Sequence, residues 1–430
     1  MKKFENKTLL VLGSSTGSVD IVNYAKKNGA YTIVADYYPP EKSEAKQIAD
    51  EALEISTGDI EKLSEFIRNR KIDGVFAGIS EFNLLNAMSL ANRFQMPFYC
   101  TRQQWDMVEK KDLFRRLCEE YHVPCPKVYY TGGKMKKNDW DKVQFPAVIK
   151  PVDGSASTGV FICQDKEEMK KVEEDSLAAS QCQTIIIEEF VEGKEFTAHY
   201  TISNGKAALS IVDNRYSVAV NPGNVTTIPI ARVYPSLFLE EFKNQVNGPM
   251  LDLCNSLKLD NAVLFIQGLY NEKKNAFSIF EAGLRIAGEA PYRFLEKING
   301  INNLYLLVNH ALSVKSEDYS ELEDPSMKGK CCGIISFVTM GGKVGKIIGL
   351  EEALKATPSV ISYENRYPIG TETPNGNTLH QLMIRFVMIC ENREQMASDI
   401  KYLNDNISVL DINGDNMVKK IEPSRIFTIE

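Results

Sequence analysis

The stretch Ile149–Val160, IKPVDGSASTGV, decides how this chain is read. It closes the apolar run Phe145-Pro-Ala-Val-Ile with Lys150, then passes through glycines and serines into the apolar VFIC. Two apolar runs joined by a small-residue turn predict a β-hairpin. A P-loop needs GxxxxGK[ST] between a strand and a helix, so that helix amides meet the phosphates. Here Lys150 precedes the glycines and strands flank both sides, which excludes a P-loop. Two readings stay open. One is a plain hairpin, because Gly and Ser dominate turns. The other is a flexible cover for phosphates, with Gly154, Ser155, Ser157 and Gly159 offering N–H groups and hydroxyls and Lys150 a point charge.

Outward from this hairpin, the 430 residues are too many for one ordinary core, so two or three domains are expected. The apolar fraction of 43% permits several cores. A net charge of −7 argues against a nucleic-acid partner. No apolar run approaches the roughly 18 residues of a membrane span, and MKKFENKTLLVLG lacks a signal-peptide pattern, so a cytoplasmic protein without membrane contact is expected. The nine cysteines lie mostly inside apolar runs and read as buried reduced thiols. The four histidines are too dispersed to suggest a zinc site.

The first hundred residues alternate strand and helix patterns, from TLLVLGSS and VDIVNYAKKNG through AYTIVADYY, IDGVFAGIS and EFNLLNAMSLANRF to a last short strand, PFYC. Such alternation implies a parallel, doubly wound sheet, with ligands beyond the carboxyl ends of its strands, near Gly13-Ser14-Ser15 and Asp36. The loop GSSTGS is not GxGxxG, so a dinucleotide fingerprint is absent and a capped βα turn is the plainer reading. Next come an amphipathic helix in KKDLFRRLCEEYHVPCPKVYY, the Lys150 hairpin, the helix KEEMKKVEEDSLAAS and the strand TIIIEEFV. EFTAHYTISNGKAALSIVDNRY reads as two strands around an Asn-Gly turn. Acidic KSEDYSELEDPSMKG reads as a linker or exposed loop, and the last hundred residues as a small α+β unit containing one helix, TLHQLMIRFVMICENREQMASDIKYLND.

Two further clusters carry chemistry. IIIEEFVEGKEF ends a buried-strand run in Glu188-Glu189, with Glu195 after a glycine; charges facing water at a strand end are the plain alternative. In FIQGLYNEKKNAFSIFEAGLRIAGE, Gln267 and Glu281 fall on adjacent strands of a hairpin, followed by Arg285 and Glu289 at four-residue steps. Adjacent antiparallel strands can aim two oxygen ligands at one point, and Mg²⁺ wants oxygen ligands and phosphates. An Arg285–Glu281 structural ion pair is the competing reading.

The order of these pieces resembles the ATP-grasp superfamily, whose members include biotin carboxylase and D-alanine–D-alanine ligase. The resemblance implies a doubly wound N-terminal domain (1–105), an ATP-grasp domain (106–325, lid about 126–187) and a small α+β C-terminal domain (326–430). It implies Lys111, Lys150, Ser155 and Ser157 at the phosphates of ATP. Glu188 and Val191 would meet the adenine through backbone groups, Glu189 would line it, and Glu195 would take the ribose. Gln267 and Glu281 would hold Mg²⁺ or Mn²⁺, and Lys150 and Arg285 would act at the reacting phosphoryl group. This chain departs from the family at Gln267, usually Glu, and at Gly283, usually Asn; either the site would bind Mg²⁺ more through ATP and water, or Glu289 or a loop acid would compensate. The C-terminal pattern around GKIIGLEEA resembles L-amino-acid ligases and related carboxylate–amine ligases. That implies small-molecule carboxylate and amine substrates, with Arg215, Arg285 and Glu289 as substrate contacts, and by analogy a homodimer. The alternatives carried are a bicarbonate-using relative and a non-catalytic ATP-binding protein with a weakened metal site.

Overall fold

Residues Leu9–Leu12 are four consecutive fully buried side chains, as a parallel strand covered on both faces requires. In the computed structural model, which describes residues 2–14, 16–154, 158–219, 227–376 and 378–429, this strand (Thr8–Leu12) lies inside a four-stranded parallel sheet. The sheet order is Glu51–Glu54, Tyr31–Asp36, Thr8–Leu12, Gly74–Ala77, the start of a doubly wound arrangement. Helices Ser18–Lys27, Glu44–Ile48 and Ile60–Arg68 connect the strands, and Glu81–Arg93 follows the last of them. A later helix, Asn303–Ala311, also packs on this unit: Tyr305 stacks on Tyr24 with ring centres 3.7 Å apart. PFYC is not a strand; it forms an irregular connection in which Tyr99 donates to Leu284 O at 2.9 Å.

Two antiparallel sheets follow. The first has the order Val128–Gly132, Ile185–Glu189, Ala147–Pro151, Phe161–Cys163. Its small core contains Trp140, Ile149, Met169 and Ile187. The second sheet runs Lys206–Val212, Lys194–Ser203, Ala262–Asn271, Ala276–Gly283. Its Asn204-Gly205 turn takes positive φ at both residues, 50° and 77°, the geometry a two-residue hairpin turn needs.

Beyond Val212 the chain leaves this sheet. Asn214–Val218 and Ile228–Tyr234 pair instead into a six-stranded sheet with Cys331–Thr339, Leu382–Cys390, Val360–Asn365 and the short Val418–Lys419. The amphipathic helix expected in KKDLFRRLCEEYH is Lys111–Glu120, and a further helix, Arg102–Glu109, precedes it. The long C-terminal helix is a strand, Leu382–Cys390, followed by the helix Arg393–Asn406. LMIRFVMIC is buried on both faces, and such a run shows no period of two to separate strand from helix. The acidic segment from Lys315 is irregular but not simply exposed, because Tyr319, Glu323 and Met327 turn inward. Seven of the nine cysteines are buried; Cys182 is exposed. Among the described residues no helix is long and apolar enough to cross a membrane.

Candidate functional site

Thr101 caps the helix Arg102–Glu109, the chain turns at Lys110, and Lys111 opens the next helix with its side chain directed at the Lys150 hairpin. Its backbone N–H donates to Val152 O at 3.0 Å and its ammonium to Gly154 O at 2.6 Å. The same Nζ lies 3.8 Å from Glu281 Oε1. Lys111, the Lys150 hairpin and Glu281 therefore converge. Ser155 and Ser157 lie outside the described residues.

Lys150 sits opposite Ile186 in the ladder, so Glu188, two residues further on, shares its face. Lys150 Nζ is 2.5 Å from Glu188 Oε2. Glu188 Oε1 receives a 2.5 Å bond from Arg115 Nε, and Arg115 Nη2 donates to Phe280 O at 2.6 Å. All three charges are buried. Burial pushes Lys150 down to about 8, with Arg115 and Lys111 adding to the shift against the pull of Glu188. Burial acts to raise Glu188, but Arg115 and Lys150 prevail and hold it below the usual carboxylate range. The Glu188 side chain thus faces two cations rather than water. Arg115 was missed from sequence, although its spacing of four from Lys111 on one helix was a usable signal.

Gln267 and Glu281 are direct ladder partners, with a register shift after Gln267, and both are half-buried. Among the described residues no group of three or more His, Cys, Asp or Glu side chains is arranged to hold a metal. One carboxylate and one neutral amide oxygen suit a hard cation that takes its remaining ligands from phosphate and water. Gly283 faces Phe265 across the same ladder. The Arg285 guanidinium lies 5.0 Å from the Phe265 ring centre and 4.0 Å from Glu109. Glu109, another residue missed from sequence, accepts Leu284 N–H at 2.9 Å. Burial raises it to about 7; Glu81 and Glu281 add to that shift and Arg285 opposes it.

The remaining expected residues fall elsewhere around this centre. Glu189 Oε1 accepts the Lys127 N–H at 2.9 Å, and Val191 is half-buried in the connection to Lys194–Ser203. Glu195 and Arg215, expected at different ligands, form one ion pair at 2.9 Å. Arg215 is largely buried, so this is not a surface pair. Glu289 Oε1 is 3.2 Å from His199 Nε2 and 3.4 Å from Arg232 Nη1. Arg232 also donates to Asp213 Oδ2 and Thr197 Oγ1, each at 2.6 Å. Burial works against the Glu289 charge, yet Arg232 and His199 keep it well below the usual carboxylate range. Glu289 is already paired with Arg232 and lies beside His199. His199, Asp213 and Arg232 carried no motif that pointed to them.

The chain contains an ATP-grasp domain: residues 143–291 match the family model of that description. It is 24% identical over 337 residues to the carbamoyl phosphate synthase large chain of Clostridium beijerinckii, a match covering 73% of this chain and 30% of that one. The chain thus spans about a third of that relative's length. Its fold is similar to that of an L-amino acid ligase from Bacillus licheniformis, with a TM-score of 0.75 at 16% identity, covering 95% of this chain and 99% of the other. A 2-oxoglutarate carboxylase biotin carboxylase domain from Hydrogenobacter thermophilus, solved with MgADP and bicarbonate, gives 0.76 at 14% identity, over 96% and 91% of the two chains.

Proposed function

We propose that this protein is an ATP- and Mg²⁺-dependent ligase that activates a small carboxylate as an acylphosphate and joins it to an amine. The observation that supports it best is the meeting of Lys111, the Gly154 turn and Glu281, with Lys150 buried beside Glu188 on the same lid sheet. Lys111 and Lys150 bring positive charge to the phosphates, Gln267 and Glu281 hold the cation, and Arg285 stands beyond that hairpin to neutralise charge on the transferred group. Such chemistry needs positioning and charge neutralisation more than a protein nucleophile. A substrate carboxylate oxygen attacks the γ-phosphorus and ADP leaves. The amine then attacks the acyl carbon, and inorganic phosphate and a proton are released.

In this reading Glu188 and Val191 present backbone groups to the adenine, Glu189 lines it, and Glu195 takes the ribose. Domains 1–105, 106–325 and 326–430 share the work, in the cytoplasm, and strands Asn214–Val218 and Ile228–Tyr234 join the last of them by pairing. A second reading, a nucleotide-binding protein with a weakened metal site, is favoured by neutral Gln267 and by the missing side chain at Gly283. An ADP-release screen across amino acids, other small carboxylates and bicarbonate decides. Release that requires an added amine supports the ligase. Bicarbonate dependence points to a carboxylating relative, and tight ATP binding without turnover to the second reading.

A further inference from the structure

Leu284 precedes Arg285 and is fully buried. Both polar groups of its backbone are taken by side chains from a distant part of the sequence. Glu109 Oε1 accepts the Leu284 N–H at 2.9 Å, and the Tyr99 hydroxyl donates to Leu284 O at 2.9 Å. Glu109 closes the helix Arg102–Glu109, and two residues later Lys111 opens the next one. The backbone that leads into Arg285 is therefore fastened to the segment that carries Lys111. Lys111 Nζ in turn lies 3.8 Å from Glu281, three residues before Leu284.

The Arg285 side chain has little else to fix it. Its guanidinium lies 5.0 Å from the Phe265 ring centre, and a ring face attracts a cation without fixing its direction. Nη1 reaches Ile286 O only at 3.5 Å. Nε stands 4.0 Å from the same Glu109 oxygen that holds Leu284, beyond hydrogen-bond distance. Where the guanidinium lies thus follows from where the backbone before it is held.

We propose that Glu109 is a positioning residue for phosphoryl transfer: by accepting the Leu284 N–H it holds Arg285 against the transferred group, in register with Lys111. This rests on the ligase reading for the role of Arg285. Glu109 itself touches no substrate and acts through the backbone of the loop it holds.

ADP and the uncleaved analogue β,γ-imido-ATP, both with Mg²⁺, differ by the phosphoryl group that Arg285 would meet. Calorimetry on the full chain gives the ratio of their affinities and needs no second substrate. A side chain that only supports the fold would weaken both nucleotides alike and leave that ratio unchanged. Arg285→Gln should lower the preference for the triphosphate about tenfold, and Glu109→Leu by a comparable factor with ADP affinity changed less than about twofold. Glu109→Gln, whose amide oxygen can still accept the Leu284 N–H, should keep most of the preference. In the Arg285→Gln background, Glu109→Leu should lower it no further. If Glu109→Leu fails to fold by circular dichroism, Glu109→Asp, one methylene short of the Leu284 N–H, takes its place.

An unchanged ratio in Glu109→Leu, an equal loss in Glu109→Gln, or additive losses in the double variant overturns the proposal. An unchanged ratio in Arg285→Gln removes Arg285 from the ligase reading, and the proposal falls with it. Failure to bind either nucleotide overturns both. A chain that shows the expected ratios but releases no ADP under any condition refutes the ligase reading alone.

Discussion

Phe265 and Gly283 stand opposite each other on neighbouring strands, and a Cβ at position 283 would come within 2.4 Å of the Phe265 ring. The ring also carries the Arg285 guanidinium on its face. The absence of a side chain at 283 is therefore a packing choice tied to Phe265. Gly283→Asn alone should lose about 1–3 kcal/mol by overpacking. Adding Phe265→Leu should recover part of this. Denaturant unfolding of the two single variants and the double variant measures the coupling, and additive losses would contradict it.

Gln267 and Glu281 predict a metal requirement that can be tuned. Glu281→Ala should abolish Mg²⁺-dependent ADP release. Gln267→Glu adds a second carboxylate beside it and should lower the half-saturating Mg²⁺ concentration, on the order of tenfold. A metal titration in which neither variant shifts would place the cation elsewhere.

Lys150 predicts a pH dependence. Its pKa is lowered to about 8 by burial, so in the free protein the charge proposed to meet phosphate is lost as pH rises through that value. KM for ATP should therefore climb several-fold between about pH 7 and pH 9.5. Lys150→Arg, charged throughout, should flatten the profile even if its activity is low. Lys150→Ala should cut turnover on the order of a hundredfold while the fold persists, because Glu188 keeps Arg115. Stability should move the other way from affinity. With the folded pKa below the unfolded one, the unfolded chain binds more protons between about pH 8 and pH 10.5, so this group adds stability as pH rises there.

Glu323 predicts a stability effect away from the site. Burial raises it to about 7 against the bonds it makes with Ser210 and Thr201. A raised carboxylate contributes stability below its unfolded pKa and loses it as pH climbs to the folded value. Thermal stability should fall from about pH 5 to pH 8, and Glu323→Gln should reduce that slope. An identical slope in the variant would mean that other groups set it.

Much of the fold was legible because elements are encoded locally. The alternation in the first hundred residues, the Asn204-Gly205 turn and the Lys150 hairpin each declare themselves within about ten residues. LMIRFVMIC misled because a strand buried on both faces carries no alternation, and PFYC because a short apolar run does not have to pair. Of the candidate site, Lys111, Lys150, Gln267, Glu281 and Arg285 were visible as residue types in a recognisable order. Arg115 was missed despite its helical spacing from Lys111, and Glu109, His199, Asp213 and Arg232 were not visible, since nothing in the local sequence names the distant partner of a charge.

By itself the sequence determined most of the strands and helices of the N-terminal unit, PFYC excepted, and of the sheet that carries Lys150, and the order in which charged residues occur along them. Only the tertiary structure decided which charges meet. Glu188 is shared by Arg115 and Lys150, Glu195 takes Arg215, and Arg232 is shared by Asp213 and Glu289. The physical reason is that period and turn chemistry act over a few residues. An ion pair is chosen by strand register and by packing between segments far apart in the chain, where burial makes each pairing, or the lack of one, matter.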